Sequence, residues 1–394
     1  MKKLLPLFLA AVTVPSVYAQ DAATEARLAE QEARINALAD QLEKLQQGES
    51  KGGAWDDRFS IGGYGELHYN NIEEQNTDAE TTEMDLHRFV LFFGYQFNNS
   101  VRMYSEFEVE HTVAGEDKAG EVEMEQAFIE WDYISRHRTR AGVLLLPVGI
   151  LNQTHEPDTF YGVERNNIET QILPSTWYEG GIGFSGEILA GLNYDATVTE
   201  GLKLKLSEAK YGIRDARQKA SQATAQDPGY TVALNYTGFK GLLIGGSVYY
   251  QSDLTQEDRS YSSDSIDGFM YEAHADWHYD KFAVRAVFAN WELDKAIESV
   301  LQSSEGAASG SDNLNGFFIE PSYKLFESLG IFARYSEWDT RAGDSINSEY
   351  RQVDIGINYY LAPHVVLKAD LQDQDADEGM DEFDGFNLGV GWSF

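Results

Sequence analysis

The sequence predicts an all-β fold, a 16-stranded antiparallel transmembrane β-barrel with an inward-folded third loop, preceded by a short N-terminal coiled-coil helix. Three observations predict it. From about residue 57 onward, bulky apolar and polar residues alternate with a period of two, as in strands with two unlike faces. The connectors between these runs are alternately short turns and long polar loops, the plan of an outer-membrane barrel. Aromatic residues crowd the ends of the apolar faces, where a membrane barrel carries its interfacial girdles.

The chain begins with a targeting segment. Lys2 and Lys3 precede an apolar run from Leu4 to Val14, and Val17-Tyr18-Ala19 supplies a cleavage site. The run is too short to span a bilayer as a helix, so residues 1–19 read as a cleaved signal peptide. Export in this form, followed by a barrel, implies the bacterial outer membrane as destination. Residues 20–48 are rich in Ala, Glu, Gln and Leu. Leu28, Ile35 and Leu42 recur at one heptad position, with Gln31, Leu38 and Leu45 at the other. A periplasmic coiled coil is expected there, followed by a Gly-containing linker over 49–56 and the barrel over 57–394.

Within the barrel, Phe89, Leu91, Phe93, Tyr95 and Phe97 alternate with polar neighbours, as do Phe269, Tyr271, Ala273, Ala275 and Trp277. Strands are expected to start near 57, 86, 99, 122, 138, 176, 192, 229, 242, 268, 282, 314, 331, 350, 365 and 385. Short turns fall at Asn98-Asn99-Ser100, Leu189-Ala190-Gly191, Tyr279-Asp280-Lys281 and Ala362-Pro363-His364. Long polar loops are expected at 71–83, 201–228, 253–267, 294–313 and 373–384. The even count puts both chain ends on one side. A soluble sandwich would alternate too, but would not need long loops at one end only.

The chain carries 65 acidic against 30 basic residues, a net charge of −35, and no cysteine. Nucleic-acid binding needs clustered Lys and Arg and is excluded by that balance. The missing thiols exclude disulfides and thiolate chemistry. No cofactor is expected, nor a catalytic centre, because no nucleophile motif of the G-x-S-x-G type occurs.

A barrel of about 16 strands leaves an aqueous interior, so its polar face becomes a pore wall. The strand phase places Arg58, Arg88, Arg102 and Arg138 inward, with Arg140, Arg285 and Arg334. Glu106 and Glu108 share that wall. Arginines there either pair with wall carboxylates or attract anions. Residues 147–175, PVGILNQTHEPDTFYGVERNNIETQILPS, hold three prolines and several apolar residues. Long structured loops are usually functional, and this one is expected to fold into the barrel and narrow it. Glu156, Asp158, Glu164, Arg165 and Glu169 then face the wall arginines. A lid over the mouth or a subunit-contact loop is the alternative.

Three motifs invite over-reading. Gly181-Ile-Gly183-Phe-Ser-Gly186 matches a dinucleotide fingerprint by letter but continues as a strand. Asp373, Asp375 and Asp377 resemble a calcium loop, yet Glu378 stands where glycine is required. Glu272, His274, Asp276 and His278 share one strand face, too far apart for one ion to reach more than two.

The segments LHRFVLFFGYQF, SEFEVEH, EQAFIEW and LPVGILNQTHEPDTFYGVERNNIETQILPSTWYEGG resemble outer-membrane porins grouped with the phosphate-selective porins O and P. The resemblance covers about 57–394 and is densest over 84–186. It implies a homotrimer of barrels in outer-membrane lipid and lipopolysaccharide, passing small ions and hydrophilic solutes by diffusion. The phosphate-specific members use an arginine ladder and a lysine cluster; the third loop here has one arginine, Arg165, and no lysine. The expected function is a passive porin, with anions including phosphate as the sharper expectation. A barrel serving as surface receptor, adhesin or hydrolase is the alternative. At the C-terminus, Phe386, Leu388, Val390, Trp392 and Phe394 alternate with small residues to the last position, as the closing strand of a barrel would.

Overall fold

Alternation along the chain is realised as one closed sheet. The computed structural model describes residues 58–77, 79–113, 120–204, 212–259, 264–295, 297, 311–343, 348–377 and 380–394. The expected signal peptide, coiled coil and linker lie outside the described residues. The strands are β1 Phe59–Glu74, β2 Ala79–Asn98, β3 Val101–Glu110, β4 Val122–Ile134, β5 His137–Leu145, β6 Tyr178–Leu189, β7 Leu192–Thr199 and β8 Gly229–Phe239. They continue as β9 Leu242–Gln251, β10 Gly268–Tyr279, β11 Phe282–Leu293, β12 Asn313–Phe326, β13 Leu329–Asp339, β14 Glu349–Ala362, β15 Val365–Ala376 and β16 Phe383–Ser393. Each strand pairs antiparallel with its neighbours in sequence, and β1 pairs with β16. The barrel therefore has no free edge.

One expected loop is strand instead. Residues 71–74 and 79–83 extend the β1–β2 hairpin, with Asn71 opposite Thr82 and Glu73 opposite Glu80. Their threonines suit a pleated strand, and the carboxylates stand clear of the barrel in water. The same holds for Asp373 and Asp375. Asp373 and Asp375 lie in β15 opposite Val353 and Arg351, so they form no calcium loop. Gly181, Gly183 and Gly186 lie within β6.

The outward faces are apolar and exposed. Trp131, Tyr279, Tyr323, Tyr359 and Phe394 ring the short-turn end, and Tyr230, Tyr250, Phe269 and Phe386 ring the loop end. These are two girdles flanking an aliphatic belt. At the short-turn end, Gly191 and Gly241 close tight hairpins with φ of 81° and 71°, a region that glycine enters without a Cβ clash.

The interior is not a plain water-filled tube. The third loop, L3 (146–177), lies inside the barrel. Three further loops, L4 (200–228), L5 (252–267) and L6 (294–312), send apolar side chains in beside it. Leu202, Leu204 and Ile213 of L4, Leu254 and Ile266 of L5 and Ile297 of L6 pack with Ile168, Ile172 and Trp177 of L3. The same cluster includes Tyr249, Met270, Trp291 and Phe318 from the wall. L4 to L6 are thus not simply the solvated polar loops expected. Water is excluded from much of the loop-end interior because each loop contributes one or more apolar residues to one shared core.

Candidate functional site

L3 is built from its base upward by side chains that satisfy its own backbone. Asn152 donates through Nδ2 to the carbonyls of Leu146 (2.7 Å) and Trp177 (2.9 Å), and accepts from the Trp177 N–H (2.6 Å). One buried amide thus ties the two ends of the loop together. Glu169 accepts from the N–H groups of Ile150 and Leu151, each at 2.6 Å, and from Asn166 Nδ2 at 2.7 Å. Gly149 beside it has φ 64°, and a Cβ there would stand 2.4 Å from Glu169 Oε1. The carboxylate can reach these amides only past a glycine.

From that base the loop runs to the far end of the barrel and back. Asp158 lies 3.0 Å from Nδ1 of His364, in the turn between β14 and β15, and accepts from Ser393 Oγ at 3.1 Å. The next three carbonyls are each held by the wall. Thr159 O accepts from Arg285 (2.9 Å), Phe160 O from Asn358 (3.0 Å) and Tyr161 O from Arg334 (2.8 Å). The Phe160 ring carries the Lys368 ammonium 3.6 Å from its centroid, a cation–π contact. On the return, Val163 N–H donates to Asp370 (2.6 Å), and Glu164 meets His68 (2.9 Å) and Asn70 (3.0 Å). Finally Trp291 Nε1 donates to Ile172 O at 3.0 Å.

The wall arginines expected from sequence are placed as follows. Arg102, Arg138 and Arg140 form one network across β3 to β7. Arg102 pairs with Glu130 and Asp132, and Arg140 with Glu130 (3.2 Å) and Asp195 (3.3 Å). Arg138 approaches Glu130 at 3.7 Å. Arg88 pairs with Glu66 (2.7 Å) and Glu108 (3.4 Å). Arg285 pairs with Asp276 (3.1 Å) and Arg334 with Glu320 (2.8 Å). Arg58 precedes β1, at the short-turn rim, with its guanidinium 5.2 Å from the outward ring of Tyr95. Of the L3 residues, Asp158 and Glu169 are buried and Glu156 is half-buried. Glu164 keeps 45% of its side chain exposed, and Arg165 donates to Thr176 Oγ1 at 2.9 Å. Glu106 and Glu108 are buried in the wall.

Exposure divides the interior into three levels. At the short-turn end Arg138, Arg140, Asp195, Asp276 and His278 line an accessible vestibule on the β5–β10 side, where Gln153 and Thr154 of L3 are exposed. At the loop end Glu164, Asn167 and Gln171 are accessible. Between them, inward side chains at mid-height such as Glu106, Thr231, Ser247, His274, Ser336 and Asn358 are buried. L3 and the shared core together form the septum.

Several residues that build this site had no sequence signal. Asn152, Asn166 and Asn358 act on backbone groups brought near only by the fold. Glu125 points inward because of a bulge: Glu106 pairs with Gln126 and Phe107 with Met124, leaving Glu125 over. The apolar residues of 201–216 were a readable sign that L4 is not freely solvated. Within β10, His274 contacts Glu272 (2.9 Å) and His278 contacts Asp276 (2.6 Å), pairs rather than a four-residue cluster.

No profile of a known protein family matches the chain. Its fold is similar to solved outer-membrane barrels. These include an anion-selective porin from Comamonas acidovorans (TM-score 0.60, 10% identity, covering 85% of this chain and 99% of that one). They also include the outer membrane channel DcaP of Acinetobacter baumannii (TM-score 0.58, 13% identity, 85% and 97%). A third is the trimer form of OmpT, an outer membrane protein of Vibrio cholerae (TM-score 0.54, 11% identity, 85% and 99%). At such identities the likeness establishes the barrel fold. In sequence, the chain is 30% identical over 357 residues to an uncharacterized protein of Aquifex aeolicus (strain VF5), covering 85% of this chain and 80% of that protein. The chain belongs to the same family as that Aquifex aeolicus protein.

Proposed function

We propose that the protein is an outer-membrane channel of the porin type, exported by a cleaved signal peptide and passing small hydrophilic solutes and ions by passive diffusion. One observation carries this reading: L3 crosses the lumen of a closed, lipid-facing barrel and holds a polar, charge-lined interior apart into two vestibules. Nothing in that arrangement needs chemistry on the solute; it filters by size and charge. L3 is the constriction, and its movement relative to the wall sets the conducting cross-section. The barrels that this fold resembles include a porin and a channel by name, and one in a trimer form, which supports a homotrimer in the membrane.

Preference for anions, phosphate among them, is the narrower reading. It draws on Arg138 and Arg140, inward arginines that keep 39% and 22% of their side chains exposed. The surrounding Glu130, Asp132 and Asp195 offset much of that charge. Kinship with the phosphate-selective porins O and P belongs to the same narrower reading. Planar-bilayer recording of the purified protein tests the function. Discrete conductance steps, in threes for a trimer, support it, and a barrel that inserts without conducting overturns it.

A further inference from the structure

Three side chains from three separate elements converge at the septum: Glu106 of β3, Glu125 at the bulge of β4 and His155 of L3. All three are buried to within a few per cent. His155 Nε2 stands 3.3 Å from Glu125 Oε2 and 3.6 Å from Glu106 Oε1. The three ligand atoms lie within 4.8 Å of one another. Neither His155 Nε2 nor Glu125 Oε2 has a hydrogen-bond partner. Among the described residues, His155 makes the ionic contacts of both carboxylates, while the neighbouring Arg88 is taken up by Glu66 and Glu108.

Each supporting contact has the form that ligation requires. His155 Nδ1 lies 3.2 Å from the Asn152 carbonyl. A proton on Nδ1 donated there leaves the Nε2 lone pair facing the two carboxylates, the usual way a ligating histidine is oriented. Gln126 Nε2 donates to the other oxygen of Glu106 at 2.6 Å, which fixes that carboxylate from behind. Glu108 Oε1 and the Tyr64 hydroxyl also lack hydrogen-bond partners nearby. The Tyr64 ring packs edge-on against His155, centroids 5.9 Å apart.

The two His155 edges match the spacing of ligands around a metal ion better than that of a shared proton. A tetrahedral ion with ligands about 2.0–2.1 Å away sets its ligand atoms about 3.4 Å apart. The observed 3.3 and 3.6 Å fall around that edge. Charge-assisted N–H···O bonds are shorter, about 2.7–2.9 Å. Two carboxylates left in a dry interior are costly unless a cation balances them, and a dication balances two. An imidazole with two carboxylates suits zinc and its first-row neighbours rather than magnesium or calcium, which take oxygen ligands.

We propose that Glu106, Glu125 and His155 bind a divalent transition-metal ion of the zinc type, which clamps L3 to the β3–β4 wall. Water or Glu108 completes its coordination. The clamp ties L3, three residues before Asp158, to the β3–β4 wall, several strands around the barrel from the β14–β16 contact of Asp158, so it holds the septum from a second side. The proposal concerns metal binding and stands whether or not the barrel conducts.

The test uses the full chain, folded in detergent, stripped with a chelator and titrated with Zn²⁺ alone, with Co²⁺ absorbance as the coordination readout. One ion per chain is expected, with the intense visible bands of four-coordinate Co²⁺. His155→Gln and Glu125→Gln abolish both. Gln126→Ala, which removes no ligand, weakens binding by about 10–100-fold. Asp85, His87 and His111 form a second, half-exposed group, so an Asp85→Asn, His111→Gln variant serves as control and keeps the buried ion. Heat-modifiable gel mobility shows that each variant folds. The proposal is overturned if the folded wild type binds no stoichiometric ion. It is overturned equally if binding survives in folded Glu125→Gln, or is lost in the Asp85, His111 control instead.

Discussion

Asp158 of L3 and His364, in the turn between β14 and β15, stand 3.0 Å apart, so the third loop reaches from the loop end of the barrel to its opposite rim. L3 is therefore anchored at both ends and along its length. Asp158→Ala removes the lower anchor, including the hydrogen bond from Ser393, while leaving the sheet intact. The expected result is larger single-channel conductance and noisier open states in planar bilayers. Conductance equal to that of the wild type would count against L3 as the constriction.

The loop is also held by the space left for it in β16. A Cβ at Gly391 would stand 2.5 Å from Pro157 Cβ, and one at Gly389 3.1 Å from Val163. Gly391→Val overfills this contact at a cost of about 1–3 kcal/mol. L3 is expected to shift rather than the ladder to break, because the backbone pairing of β16 with β1 and β15 does not involve the side chain. Faster proteolysis within 153–160, with unchanged circular dichroism, is the expected pair of readings.

Glu169 tests whether L3 is a built element or a passive filler. Its carboxylate satisfies the N–H groups of half-buried Ile150 and buried Leu151, and the buried Asn166. Glu169→Ala strands those donors, each at about 1–3 kcal/mol. The expected outcome is a barrel that still assembles, with L3 protease-sensitive and conductance raised. Glu169→Gln is expected to be intermediate, because its oxygen can still accept one pair of amides.

The barrel was legible in the sequence because its physics is local. Alternation marks lipid and lumen faces residue by residue, and turn residues mark where each hairpin closes. Phe282-x-Val284-x-Ala286-x-Phe288 could be nothing else once a closed sheet was required. Acidity alone suggests a loop over 71–83, whereas Thr81 and Thr82 favour the strand found there. The interior was less legible. Which carboxylate meets Arg334 or Arg140 depends on register across strands, and His155 meets Glu106 and Glu125 only because L3 descends past a bulge. Such contacts join residues far apart along the chain, with no periodicity to announce them.

The network across β3 to β7 is where the proposed charge preference can be tested. Arg140 lies beside both Glu130 and Asp195. Arg138→Ala with Arg140→Ala leaves those carboxylates and Asp132 in excess at the accessible vestibule. The reversal potential in a salt gradient is expected to move toward cations, and less so at high ionic strength, where the field is screened. An unchanged potential would remove the basis for any anion preference at this end.

L5 offers a pH-dependent element outside the membrane-spanning strands. Burial alone would push the Asp253 carboxyl up. The hydroxyl and N–H of Thr255, with Arg259 and the Ile266 N–H, instead hold it below the ordinary carboxylate range. A depressed carboxyl stabilises the loop above its unfolded value, about 3.9, and that contribution is lost as pH falls through the lower, folded value. L5 is therefore expected to stay ordered at neutral pH and loosen below about pH 4. Asp253→Asn imitates the protonated group, so it should make 252–267 protease-sensitive at neutral pH. Equal cleavage of the variant and the wild type would show that Asp253 does not organise L5.

The terminal residue closes the sheet. Phe394 N–H donates to Gly63 O at 2.9 Å and Gly63 N–H to Phe394 O at 3.0 Å, the first rung of the β1–β16 ladder. Its ring is exposed toward lipid at the short-turn girdle. Deleting Phe394 removes that rung and the outermost aromatic, leaving Gly63 unpaired where the barrel must seal. Because L3 is anchored through Ser393, Asp370 and the wall rather than through Phe394, its anchors are untouched. Assembled yield, read as the heat-modifiable band, is therefore expected to fall sharply. The molecules that do insert should keep the wild-type conductance. A deletion variant with full yield would show that closure is carried by the remaining rungs, and one with altered conductance would tie the terminus to L3.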